Sequence, residues 1–65
     1  MQQNDIDIFE DFIGKNVKVI YMDVKAYKVA RGRLVDYNDK FVKIQGSLGT
    51  IMINVNKIEK ITEIN

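Results

Sequence analysis

Two short polar segments carry the side chains best suited to binding a ligand. They are residues 37–41, which read YNDKF, and residues 54–57, which read NVNK. Aromatic rings can stack on bases, amides can hydrogen-bond to base edges, and lysine can pair with phosphate. The same residues also suit ordinary turns, and we favour a place in the core for Tyr37 and Phe41. The two segments become a candidate nucleic-acid site only if the fold brings them together.

Catalysis is argued against by the residue types that the sequence lacks. It contains no histidine and no cysteine, so the commonest general bases, nucleophiles and zinc ligands are missing. Asp36 and Asp39 flank a turn and could bind a hard cation, but aspartate is a routine turn residue and we favour that interpretation. We predict a protein that is not an enzyme and that needs no metal or other cofactor.

The size of the chain favours self-association. Its 65 residues are expected to form one domain, and 46% of them are hydrophobic. A domain this small buries only about 60% of the surface of its unfolded chain, so its core alone gives marginal stability. Association with further copies would bury the remaining apolar surface and add stability.

Charge is distributed unevenly along the sequence, although the net charge is only +1. Residues 1–14 contain four acids and no base, whereas residues 15–43 contain eight bases and three acids. This pattern predicts either a weakly basic face or ordinary solvated strand charge. No apolar run approaches the roughly 20 residues of a membrane span, and the polar, acidic start is unlike a secretory signal. We therefore expect a cytoplasmic protein with no membrane partner.

The elements that must position the polar segments are mostly strands. We expect residues 1–4 to be disordered, residues 5–13 to form a short helix, and residues 15–63 to form a barrel. The second strand is long, about Tyr27 to Tyr37, and Gly32 would let it bend by leaving an inner position without a side chain. The last segment fits either a helix or a tight turn with a short edge strand, and we favour the second. The predicted fold class is mainly β, with a short N-terminal helix followed by a five-stranded, strongly bent SH3-like or OB-like barrel.

Two motifs of the sequence resemble those of the Sm-like (LSm, Hfq-like) family over about residues 6–62. Residues 32–38 (GRLVDYN) are similar to the family's first motif, and residues 51–58 (IMINVNKI), with Ile61, to its second. The polar positions differ. The family's aspartate falls on Asn38, its base-stacking position on Lys40, its base-reading asparagine on Val42, and its arginine-glycine pair on Asn54-Val55.

The resemblance implies a homo-oligomeric ring of six or seven copies that binds single-stranded RNA near its pore. The fourth strand of one subunit would pair with the fifth strand of the next. Lys40, Asn54 and Asn56 would line the pore, and Asn38 would shape the loop beside it. The alternative function is an SH3-like protein-interaction or scaffold module that binds a protein partner instead of RNA.

Overall fold

The computed structural model describes residues 5–64, and the side chains of residues 9–64, as a mainly β fold built on a five-stranded antiparallel sheet. The expected disorder of residues 1–4 lies outside the described residues. In chain order the elements are a first 3-10 helix (Asp5–Phe12), β1 (Asn16–Asp23), β2 (Ala26–Tyr37), β3 (Phe41–Gly46), β4 (Gly49–Asn54), a second 3-10 helix (Val55–Lys57) and β5 (Ile58–Glu63).

The sheet is open, with strand order β4-β3-β2-β1-β5. The expected closure into a barrel is therefore not found, since β4 and β5 are its two edges and do not pair with each other. The second 3-10 helix lies between these two strands in the chain, and β5 pairs with β1 at the far side of the sheet from β4. The expected turn followed by an edge strand is confirmed at this point in the chain.

Strand β2 is as long as predicted, and it changes partner in its middle. It pairs with β1 from Ala26 to Arg33 and with β3 from Arg33 to Tyr37. Gly32 lies at this junction, where a Cβ atom would approach the backbone carbonyl carbon of Gln45 and Cγ2 of Ile44 to 2.9 Å each. Real Cβ atoms do not come this close to backbone, so the junction requires a residue without a side chain.

The N-terminal segment differs from the helix expected over residues 5–13. It is a 3-10 helix that ends at Phe12, and the Ile13 N–H donates to the Glu10 carbonyl three residues earlier at 3.3 Å. A segment this short has too few backbone hydrogen bonds to hold an α-helix by itself. It is anchored by Phe9, whose side chain is buried in the core.

The core lies on one side of the sheet and is made only of apolar side chains. Strand alternation puts Val17 and Val19 inside, and leaves Lys18 on the opposite side. The buried members of the described chain are Phe9, Val17, Val19, Ala30, Leu34, Val42, Ile44 and Ile53. This small core fixes the ends of β2 and β4, and those ends carry the polar turns.

Candidate functional site

The structure brings the two predicted polar segments together at one end of the sheet. Phe41, the first residue of β3, is the register partner of Asn54, the last residue of β4. Beyond this pair, the Val55 N–H donates to the Lys40 carbonyl oxygen at 2.8 Å. The turn after β2 and the turn after β4 are thus joined by backbone. We call residues 38–40 and 54–57 together the paired turns.

Asn38 holds the first of these turns in shape. Its side-chain oxygen accepts hydrogen bonds from the backbone N–H groups of Lys40 and Phe41, both at 2.8 Å. This is the local side-chain-to-backbone bonding for which asparagine is favoured in turns. Asn38 therefore shapes the loop, as expected, and its amide oxygen is engaged in both of these hydrogen bonds.

Asn54 has a similar position at the second turn. It is the N-cap of the second 3-10 helix, and its side-chain oxygen accepts a hydrogen bond from the Asn56 N–H at 2.8 Å. Capping satisfies a backbone donor that the helix itself cannot satisfy. The Asn54 side chain is half-buried, whereas Asn56 is exposed.

Most of the side-chain groups that the paired turns leave for a ligand are hydrogen-bond donors, and the exceptions are the amide oxygen of Asn56 and the carboxylate of Asp39. Among the described residues, the side chains of Lys40 and Asn56 form no hydrogen bond or ion pair, and the amide nitrogens of Asn38 and Asn54 donate none. An ammonium group and amide NH2 groups match phosphate oxygens and the carbonyl oxygens of bases. The carboxylate of Asp39, exposed in the same turn, would repel a phosphate group.

The two aromatic residues next to the first turn lie on different sides of the sheet. Tyr37 packs against the core, as expected. The core place expected for Phe41 is wrong, because Phe41 alternates with the buried Val42 and Ile44 and so lies on the opposite side of β3. The Tyr37 ring centroid lies 5.9 Å from that of Phe9, with the ring planes tilted by 48°. Its hydroxyl donates to Oε1 of Glu10 at 2.6 Å. Phe41 is half-buried. Because the Tyr37 ring already packs against Phe9, a base bound here would meet the polar groups of the turn and the half-buried Phe41.

The four predicted residues do not share one cavity. Asn38 opens onto a hollow of about 150 Å³ that Phe41 and Lys43 also line. Asn54 opens onto a different hollow of about 300 Å³, on the side of the β1–β2 turn. Met52, which is 56% exposed on the outside of β4, borders both hollows. Met52 is not among the predicted site residues, and its apolar side chain gives no sequence signal of a binding site.

Ion pairs of the described chain lie away from the paired turns. Nζ of Lys28 is 2.9 Å from Oδ2 of Asp23, and Nζ of Lys15 is 3.7 Å from Oε1 of Glu63. The hydrogen bond to Asp23, with the charge of that carboxylate, raises the pKa of Lys28 above its ordinary value. Both partners of this pair are largely exposed, so it holds the β1–β2 turn only weakly.

Among the side chains that the structure describes, those of residues 9–64, no cluster of three or more acidic groups could hold a metal ion. Oδ1 of Asp36 accepts a hydrogen bond from the Tyr37 N–H at 2.8 Å at the end of β2, next to a shift in the β2–β3 register. Among the same residues no helix is both long and apolar enough to span a bilayer.

Comparison of the chain with models of protein families, with curated proteins and with solved structures gave no match. The resemblance to the Sm-like family therefore depends on residues 32–38 and 51–58 alone, and it stays a prediction.

Proposed function

We propose that this protein is a cytoplasmic, Sm-like, non-enzymatic protein that assembles into a ring and binds single-stranded RNA through its paired turns. The observation that carries the proposal is the hydrogen bond from the Val55 N–H to the Lys40 carbonyl oxygen, which joins two turns whose unengaged side-chain groups are mostly donors. Donors at a turn suit the phosphates and base carbonyls of an extended strand.

The two free edges of the sheet support the ring. β4 and β5 each have one neighbour within the chain, so each presents a row of unpaired backbone groups. Pairing β4 of one copy with β5 of the next satisfies both rows and repeats the same contact. Such a head-to-tail contact closes into a ring when its rotation allows.

The placement of the two motifs also favours this family. Residues 32–38 cover the second half of β2 and the turn after it, and residues 51–58 run from β4 through the second 3-10 helix to the start of β5. The additional Ile61 packs against the core. The two motifs therefore fall on the elements that shape the paired turns.

RNA binding is tested by fluorescence anisotropy with short uridine-rich and adenine-rich RNA at low salt. We expect micromolar or tighter binding to at least one RNA. Lys40→Ala should weaken it for both sequences and lower the slope of log affinity against log salt by about 1, because one phosphate contact is lost. Asn56→Ala should weaken it without changing that slope. Asn38 and Asn54 are left intact, since their loss would remove caps.

The matched control is Lys25→Ala, which removes an equal charge from the exposed β1–β2 turn and should leave binding unchanged. Absence of binding to either RNA in the micromolar range would refute RNA binding. Equal effects of the Lys25 and Lys40 variants would show that binding does not use the paired turns.

The engaged amide oxygens of Asn38 and Asn54 favour a second candidate function, a protein-interaction or scaffold module. With both oxygens used as caps, the site has lost acceptors that would distinguish one base from another. In this case a purified protein partner binds after nuclease treatment, and the RNA titrations are flat.

A further inference from the structure

The side of the sheet opposite the core carries a cluster of cations on β1, β2 and β5. Lys18 on β1 is the register partner of Arg31 on β2, so two positive side chains lie directly opposite each other. Arg33 follows Arg31 on the same side of β2, and Lys60 of β5 pairs in register with Ile20. We call this side of β5, β1 and β2 the outer face.

No acid neutralises these cations within the described chain. The two ion pairs there involve Lys15 and Lys28, neither of which belongs to the cluster. The remaining register partner of Lys18 is Thr62, and those of Arg33 are Asn16 and Gln45. Like charges directly across a sheet are destabilising, so the cluster costs stability in an isolated molecule.

Apolar side chains continue the outer face beside the cations. Ile20 pairs with Val29 and Met22 pairs with Tyr27, and Val29 and Tyr27 are 50% and 60% exposed. A phosphate backbone would match the cations but not this apolar part. The surface instead suits an acidic segment that also carries apolar side chains.

The chain itself contains such a segment, and Phe9 places its described part on the opposite side of the sheet. Residues 1–14 hold four acids, no base and several large apolar residues. Glu10 and Asp11 are exposed, and Ile13 is 39% exposed. Phe9 anchors this segment over the core. The sheet therefore separates Glu10 and Asp11 from the outer face of the same copy.

We infer that the acidic N-terminal segment of one copy docks on the outer face of a second copy, so that molecules stack front to back. Opposite charges meet at the contact, and a net charge of +1 leaves little long-range repulsion between copies. The contact uses neither sheet edge nor the paired turns, so it is independent of the proposed ring and of RNA.

The test is the molar mass of nuclease-treated protein, measured by light scattering across a salt series. Lowering the salt should raise the mean mass by about twofold or more, as assemblies pair and then extend. Raising the salt concentration should return the mean mass to a plateau, because salt screens exposed charge pairs. The plateau reports edge pairing alone, so failure of the ring and failure of stacking give different results.

Charge reversal identifies the contact. Lys18→Glu and Asp11→Lys should each reduce the rise in mass at low salt, because each reverses one charge on one of the two opposing surfaces. Lys25→Glu, with the same change in net charge on the exposed β1–β2 turn, should keep the rise. Stacking is overturned if the mass does not depend on salt, if Lys18→Glu behaves like Lys25→Glu, or if the rise needs added nucleic acid.

Discussion

Asparagine side chains at the paired turns act first on their own backbone. Asn38 and Asn54 each use the amide oxygen as a cap, and only the amide nitrogen remains for a ligand. The sequence pattern of a capping asparagine and that of a base-reading asparagine are the same. The sequence could therefore predict where these residues lie, but not how much of their bonding capacity a ligand could use.

Val24 carries the clearest backbone strain among the described non-glycine residues. Its φ is +59°, a left-handed conformation in the two-residue turn between β1 and β2, and its side chain is 83% exposed. Glycine is the residue that such a hairpin position favours.

We expect Val24→Gly to raise the free energy of unfolding by about 0.5–1 kcal/mol. The free energy gained by relieving the left-handed strain of Val24 exceeds the free energy lost because glycine gives the unfolded chain more conformational entropy. Chemical denaturation measures the change. Lys25→Gly, the matched control at the neighbouring residue without a positive φ, should lower stability, and a gain of the same size there would contradict the strain argument.

At the scale of elements, Gly32 sets the geometry of β2. A Cβ at this residue would meet the backbone of Gln45 and the side chain of Ile44. We expect Gly32→Ala to lower the free energy of unfolding by about 3 kcal/mol, because backbone in the adjacent strand must shift.

The matched control is Gly46→Ala, in the neighbouring strand β3. A Cβ there comes no closer than 3.2 Å, to the Arg31 carbonyl oxygen, so the loss should be clearly smaller. Thermal and denaturant unfolding compare the two variants. Equal losses would mean that the junction in β2 needs no residue lacking a side chain.

Most elements could be predicted from periodicity and turn residues, as β2 between the turns at residues 24–25 and 38–40 shows. The helix type over residues 5–12 could not, since a short apolar-acidic pattern does not distinguish 3-10 from α geometry. The prediction of a closed barrel was wrong for a different reason. Register and edge pairing are set by long-range contacts, and the short segment at residues 55–57 gives no signal of where the next strand will pair.

The whole molecule is an open sheet with an exposed edge at each side. In β4, Ile51 is 42% exposed although its register partner Ile44 is buried, so it is the apolar residue that edge pairing would cover. We expect wild-type protein to exceed the monomer mass at high salt, and its unfolding midpoint to rise with protein concentration.

Ile51→Lys should shift the protein toward monomer, because a charge on an edge strand disfavours pairing with another chain. Leu48→Lys introduces the same side chain at a fully exposed position of the β3–β4 turn and should leave the mass unchanged. Sedimentation velocity distinguishes these outcomes. A monomeric wild type would rule out the ring.

The pairing of β5 with β1 has a consequence for the protein during its synthesis. Val19 is fully buried and is paired in register with Ile61, which lies 42 residues later in the chain. A nascent chain that has not yet been translated as far as Ile58 lacks β5. The edge of its β1 strand is therefore unpaired, and its core is incomplete. Folding is completed only after β5 has left the ribosome. Until then, chains translated from the same messenger can associate with each other through the unpaired edge of β1.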